Sequence, residues 1–233
     1  MTGTLINVGT VLAGTLVGVL VGRRLPGGIQ ERVLMGLGLV TLVLGIDNAL
    51  EWRDTSPLIV FGAVLLGGVT GELLRIERGL ERLGDFAQER LARGSQSRVS
   101  EGFVTASLLF CVGPLTVVGS IEDGLTGNFD TLASKALLDG FAAIAFASTL
   151  GWGVGLSALT VLLVQGGITL GAGAFEDILS EDSEALAALV SAGGILIIGI
   201  SLKLLSLRAV KVGNFLPALV FAPLLVGIVA AFR

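Results

Sequence analysis

Apolar residues run through this chain in eight long stretches, at about 4–22, 33–50, 57–74, 102–119, 134–151, 153–172, 186–206 and 213–232, each long enough as a helix to cross ~30 Å of hydrocarbon. The pattern predicts an all-α, polytopic membrane helix bundle of about eight transmembrane helices, with the lipid bilayer as its first partner. The connections alternate in charge. Arg23, Arg24 and Arg32 follow the first stretch; Arg75, Arg78, Arg82, Arg90, Arg93 and Arg98 follow the third; Lys203, Arg208 and Lys211 follow the seventh. The intervening connections carry Glu51 and Asp54, then Glu122, Asp123 and Asp130, then Glu176, Asp177, Glu181, Asp182 and Glu184. Basic connections belong in the cytoplasm. Both termini are therefore expected outside an inner membrane, with Arg90 and Arg98 facing in and Glu181 facing out. Arg53, Lys135 and Arg233 run against the rule and are too few to reverse it. The uncharged turn Gly151-Trp152-Gly153 is the weakest joint in the count. No cleavable leader is expected, because the first stretch lacks a basic lead and carries glycines throughout.

One segment keeps a helical period without being apolar throughout. Leu73, Ile76, Leu80, Leu83, Ala87 and Leu91 recur at spacings of three and four, with arginines and acids between them. It reads as an amphipathic helix continuing the third span and stopping at Gly94-Ser95-Gln96-Ser97. Such a helix rests on the bilayer or on the protein's own face, or it serves as a docking or dimerisation element.

Composition narrows the chemistry. Charged residues make up 15% of the chain, against about 25% in a soluble domain, and the mean hydropathy is +0.90. There is no histidine, no tyrosine and one cysteine, Cys111. That excludes internal disulfides, His/Cys metal centres and Ser-His or Cys-His pairs. No cofactor, metal or nucleic acid is expected, and an enzyme would need an aspartate-based site at Asp123 or Asp139. The 35 glycines suit close helix packing. Gly14-x3-Gly18-x3-Gly22 and Gly167-x3-Gly171 read as packing stripes, with a homo-oligomer seam as the alternative.

The third and eighth stretches repeat one another. Pro57, Val60, Phe61, Leu65, Gly67 and Val69 align without a gap on Pro217, Val220, Phe221, Leu225, Gly227 and Val229. Gly45-Ile46-Asp47 lies over Gly199-Ile200-Ser201, and Asn7-Val8-Gly9 sets loosely against Gln165-Gly166-Gly167. Spans 1–3 would start outside and spans 6–8 inside, which makes the repeat inverted, as in many secondary transporters. The chain divides into a first three-span repeat at 1–74, an amphipathic helix and linker at 75–101, a central pair at 102–151 and a second repeat at 152–233.

The central pair holds the candidate site. Gly113-Pro114 interrupts the fourth span, and a proline there removes an amide donor and breaks or kinks the helix. Asp139 lies about one turn inside the apolar zone, where an ionisable group costs roughly 2.5 kcal/mol or more at a helix centre and less near an end. Lys135, four residues earlier, shares its face. The pair either pins the helix end or forms a cation or proton site. Asp47-Asn48 has the same two readings. Asn7, Gln165 and Asn214 are amides in or beside apolar spans, each able to bond a neighbouring helix or line a polar path. Glu122, Asp123 and Ser120 complete the candidate set, Glu72 reads as interfacial, and the acidic loop at 176–184 reads as solvated or as concentrating cations at an outer mouth.

These residues carry a resemblance. Gly3-Thr4-Leu5-Ile6-Asn7-x-Gly9, Cys111-x-Gly113-Pro114 with Gly119-Ser120-Ile121-x-Asp123-Gly124, Lys135-x3-Asp139-Gly140 with Phe146-Ala147-Ser148-Thr149-Leu150-Gly151, and Gln165-Gly166 resemble the prokaryotic integral-membrane domain-of-unknown-function family 554. The resemblance covers nearly the whole chain and implies a bacterial or archaeal inner-membrane protein. It implies no activity. On the residues alone the leading expectation is a transporter or channel for a small ion or solute, with a polar site between inverted repeats. The alternative is a membrane scaffold or assembly protein whose carboxylates are helix pins.

Overall fold

A computed structural model describes residues 1–80, 82, 99–112, 114–175 and 183–232. Among them every regular element is helical. The longer helices are α1 (Thr2–Gly22), α2 (Gly27–Ala49), α3 (Pro57–Leu74), α4 (Val99–Cys111), α5 (Pro114–Leu125), α6 (Asp130–Leu150), α7 (Gly153–Leu170), α8 (Glu184–Leu204) and α9 (Ala218–Ala231), with a single helical turn at Ala172–Phe175 after α7. Short 3-10 turns at Leu50–Asp54 and Val212–Phe215 precede α3 and α9. Seven helices are long and apolar enough to span a bilayer, α9 together with the turn before it. The pair α4 and α5, bent by 61°, makes an eighth span if it crosses as one. At ~1.5 Å per residue, the 21 residues of α1 reach ~31 Å. This is a multi-pass membrane protein.

Local signals set several ends. Pro57 opens α3, where its missing N–H costs nothing. The Ser183 hydroxyl accepts from the Leu186 N–H at 3.1 Å and caps α8. Gly151, at φ 80°, ends α6 in a conformation other residues avoid. Gln30 Nε2 donates to the carbonyls of Gly22 at 2.8 Å and Leu25 at 3.1 Å, which closes the end of α1.

Helix directions follow from the close approaches. Gly14, Gly18 and Gly22 of α1 face the carbonyl oxygens of Gly140, Ile144 and Ser148 in the same order, so α1 and α6 run parallel with no room for a methyl between them. Gly155 of α7 faces Thr15, and Gly166 faces Met1 and Thr4, so α7 runs antiparallel to α1. Gly38 and Gly45 of α2 meet Leu205 and Ile198, which makes α2 and α8 antiparallel; α3 and α9 are likewise antiparallel, through Gly67 against Ala218. The most deeply buried span is α8, whereas α2 leaves most of its surface outward. The broken pair lies along the whole of α7: Val99 abuts Gly153 at one end, and Gly124 abuts Thr169 at the other. The pair therefore traverses the bundle rather than turning back.

Charge divides between the two ends. Among the described residues, every arginine and lysine except Arg53 and Lys135 sits at the end that carries Arg23. Glu51, Asp54, Glu122, Asp123, Asp130 and Glu184 sit at the end that carries Met1. Glu31, Glu72, Glu77 and Glu101 share the basic end.

Two expectations need correction. The third span does not continue unbroken into an amphipathic helix. Arg75 adopts φ 55° and ψ 42°, and helix resumes only at 76–80. The reason is a contact far along the chain: the Glu77 N–H donates to Asn214 Oδ1 at 2.8 Å, which re-aims the chain. Gly167 does not pack, since a methyl there would meet nothing within 4 Å. Glu81, the rest of the amphipathic segment and linker to Arg98, Gly113, the acidic loop at 176–182 and Arg233 lie outside the described residues, and with them the orientation markers Arg90, Arg98 and Glu181.

Candidate functional site

The helix break determines what surrounds it. A helical residue at 114 would donate its N–H to the carbonyl of Phe110, four residues back, and Pro114 has no N–H to give. Two side chains take that carbonyl instead. Lys135 Nζ donates to it at 2.7 Å and Thr116 Oγ1 at 3.1 Å. The ammonium thereby sits at the C-terminal end of α4, where the helix dipole favours positive charge.

Lys135 and Asp139 stand one turn apart on α6, and the ammonium donates to Asp139 Oδ2. The same oxygen accepts from Asn7 Nδ2 of α1 at 2.9 Å. Asn7 Nδ2 also donates to Gln165 Oε1 of α7 at 3.1 Å. Asn7 and Gln165 have no solvent exposure, and Lys135 and Asp139 are each 7% exposed. The group joins α1, α4, α6 and α7 into one buried polar cluster. Its two charges compensate each other, and removing either would strand the other at a cost of ~3–5 kcal/mol. Its chemistry suits binding a small polar species or moving a proton.

The cluster is not saturated. Asn7 Oδ1 and Gln165 Nε2 are buried and have no hydrogen-bond partner among the described residues. Thr4 Oγ1 and Thr169 Oγ1, one turn toward the Met1 end on the same faces of α1 and α7, are also without one. Toward the Arg23 end the same faces turn apolar. Val11, Ala143, Phe146, Val154, Ala158 and Val161 pack together there, nearly all fully buried.

The remaining candidates lie elsewhere. Asp123 Oδ2 lies 2.8 Å from the Met1 amino nitrogen and accepts the Gly3 N–H at 3.1 Å, so it caps α1. Glu122 accepts from Asn128 Nδ2 at 2.7 Å and Thr131 Oγ1 at 2.8 Å, which ties the turn between α5 and α6. Ser120 is buried and donates to the Thr116 carbonyl of its own helix at 2.5 Å. Asp47 is exposed and Asn48 half-buried at the Met1 end of α2, apart from the cluster. Asn214 belongs to a second polar knot: its Nδ2 donates to Glu72 Oε2 at 2.6 Å, and the Gly213 N–H donates to Glu77 Oε2 at 2.7 Å. A largely apolar pocket of about 190 Å³ opens between α4, α7 and the start of α9. Its lining includes Cys111 and Val164, the chain neighbours of Phe110 and Gln165, and the hydroxyls of Ser107 and Thr160, 2.9 Å apart.

Four participants escaped the sequence reading. The Phe110 carbonyl was recoverable by counting four residues back from Pro114. Thr4 and Thr169 were recoverable by helical spacing from Asn7 and Gln165. Thr116 gave no signal, because threonine is ordinary in an apolar helix.

Comparison with known proteins places this geometry in a family context. The family described as "Protein of unknown function (DUF554)" matches over residues 2–227. The chain is similar to "Uncharacterized membrane protein YdfK" of Bacillus subtilis (strain 168), at 30% identity over 234 residues, covering all of this chain and 98% of that protein. It is similar to "Uncharacterized protein YqgA" of Escherichia coli (strain K12), at 29% identity over 224 residues, 94% of each chain. No solved structure matches it.

Proposed function

This chain belongs to the DUF554 family, and we propose that it carries a small ion or solute across a prokaryotic inner membrane, with the cluster at the helix break as its site. The observation that carries the reading is the Lys135–Asp139 pair, buried in the bundle and bonded to a carbonyl freed by a broken helix. Ionisable groups inside a membrane are costly, and they persist where they serve a path or a pump. Irregular backbone at that depth is found where it lines a cavity or is covered by protein.

The packing is consistent with an inverted repeat. Under it, α1, α2 and α3 correspond to α7, α8 and α9, and each packs antiparallel to its counterpart. A 3-10 turn precedes both α3 and α9, and a proline stands at the start of each, Pro57 as the first residue of α3 and Pro217 just before α9. The parallel packing of α1 on α6 has its counterpart in α7 on the broken pair. One mismatch stands: α8 packs on α9, whereas α2 and α3 are not comparably packed on each other.

The basic end faces the cytoplasm and both termini face out in this proposal. Single cysteines at Arg24 and Asp54, in a Cys111→Ser background, test it with an impermeant maleimide on intact cells. Labelling at 54 and not at 24 is expected; the reverse overturns the orientation.

A second reading has its own observation. Lys135 is bonded to both Asp139 and the Phe110 carbonyl, as a pin for a broken helix would be. In that reading the protein is a membrane scaffold without transport. Asp139→Asn separates the two. Stability falls in both, since the Lys135 ammonium is stranded either way; a transport site also loses per-molecule flux in the protein that stays folded, whereas a pin leaves any flux unchanged.

A further inference from the structure

The unpartnered polar atoms of the cluster do not end with it. Thr4 and Asn7 lie three residues apart on one face of α1, and Gln165 and Thr169 lie four apart on one face of α7. Those faces meet, since Asn7 bonds Gln165 and Thr4 stands against Gly166. Thr169 adjoins Gly124 of α5, next to Asp123 and the start of α1. The row therefore begins near the Met1 end and stops at Asp139 and Lys135. All four residues are nine-tenths buried or more. The hydrogen-bonding atoms without a partner in the row are Thr4 Oγ1, Asn7 Oδ1, Gln165 Nε2 and Thr169 Oγ1.

Buried polar atoms are almost always paired, so four in a row call for a ligand along their length. Their chemistry selects it. Asn7 Oδ1 can only accept, Gln165 Nε2 can only donate, and the two hydroxyls do both. A bare metal cation would serve the acceptor and oppose the donor, and an anion would do the reverse. A neutral molecule that donates and accepts serves all four, and a buried water typically makes about three such bonds. Past the cluster, Val11, Val161 and Phe146 offer water nothing.

We infer that a file of water enters between α1 and α7 from the Met1 end and stops at the Lys135–Asp139 pair, with the apolar layer beyond sealing the other side. The path deepens the transport reading by giving its site a hydrated approach from one face. Its existence is tested without any transport.

Silver ion, a thiol-reactive cation small enough to follow water, is the probe. Single cysteines replace Thr4, Thr169, Ala158 and Val161 in turn in the full-length Cys111→Ser protein. It is reconstituted in vesicles with silver added on the Met1 side, and the thiols left are counted after denaturation. Thr4→Cys and Thr169→Cys are expected to react at least an order of magnitude faster than Ala158→Cys and Val161→Cys. Equal, slow reaction at all four positions overturns the path, and so does equal, fast reaction, which removes the seal. Thr4→Val and Thr169→Val give an independent reading should a cysteine variant fold poorly. Removing a dry, unpaired hydroxyl raises the melting temperature, whereas removing a watered one lowers it or leaves it unchanged. A rise in both valine variants overturns the inference. Fast silver reaction in a protein that carries no ion would end the transport reading and leave the water path standing.

Discussion

Two polar knots tie this bundle together, one at Asn7–Lys135–Asp139–Gln165 and one at Glu72–Glu77–Gly213–Asn214. Each buries at least one charged group, Lys135 and Asp139 in the first and Glu77 in the second, and both join elements far apart in sequence. They differ in completeness. In the second knot Asn214 uses both ends of its amide, on Glu72 and on the Glu77 N–H, and Glu77 returns a bond to the Gly213 N–H. Among the described residues, none of its side-chain atoms is left buried without a partner. In the first knot a donor and an acceptor remain open beside a buried ion pair. A complete knot does structural work, here turning the chain at Arg75 and seating the start of α9. An incomplete one leaves hydrogen-bonding capacity unused. Saturation, rather than burial or charge, separates the pin from the candidate site.

The largest effect should come from breaking the ion pair. Asp139→Leu strands the ammonium and is expected to cost ~3–5 kcal/mol, while Lys135→Met with Asp139→Leu recovers most of it. Denaturation in detergent across the two singles and the double measures the coupling. A double variant no more stable than either single would mean the two charges do not depend on each other.

Asn214→Leu should follow. It leaves the buried Glu77 N–H without its partner, at ~1–3 kcal/mol, while the exposed Glu72 carboxylate turns to solvent. The comparison requires the loss to appear as stability alone, with per-molecule flux in the surviving protein unchanged. A flux defect at constant stability would blur the distinction between the knots.

Gly18→Ala probes the scaffold that positions Asn7. A methyl there meets the Ile144 carbonyl, so α1 must lift from α6, with an expected loss of ~1–3 kcal/mol. Thermal unfolding reads it, and an unchanged midpoint would mean α1 is held less closely than the structure has it.

The smallest effect sharpens the contrast between the two halves of the α1–α7 seam. Thr15 also has an unpartnered buried hydroxyl, but it lies on the Arg23 side of the apolar layer, against Gly155. Thr15→Val should be neutral or stabilising by up to about 1 kcal/mol. A loss of stability would mean that water reaches this side as well.

Much of the bundle was legible because hydrocarbon imposes one length on every span and one charge sign on alternate connections. The ends were less so. Helix α6 starts at Asp130 rather than near 134, because a helix does not stop where its apolar stretch does. The left-handed Arg75 had no signal, since its cause is Asn214, far along the chain. The meeting of Asn7, Lys135, Asp139 and Gln165 was within reach, because a charge or an amide inside an apolar span stands out. Asp123 and Glu122 stood out equally and turned out to cap α1 and tie a turn. Sequence marks a polar group as unusual; only the count of its bonds tells whether anything is left over.

The most direct test is the current carried by the double variant Lys135→Met with Asp139→Leu, whose fold the pair-wise compensation preserves. Wild type and double variant are reconstituted at equal density, and currents are driven in turn by H⁺, Na⁺, K⁺ and Cl⁻ gradients. The account predicts a current in the wild type for at least one ion, lost in the double variant. A double variant that keeps the wild-type current would contradict it, and a wild type indistinguishable from empty liposomes for all four ions would remove the ion from the proposal and leave only an uncharged solute.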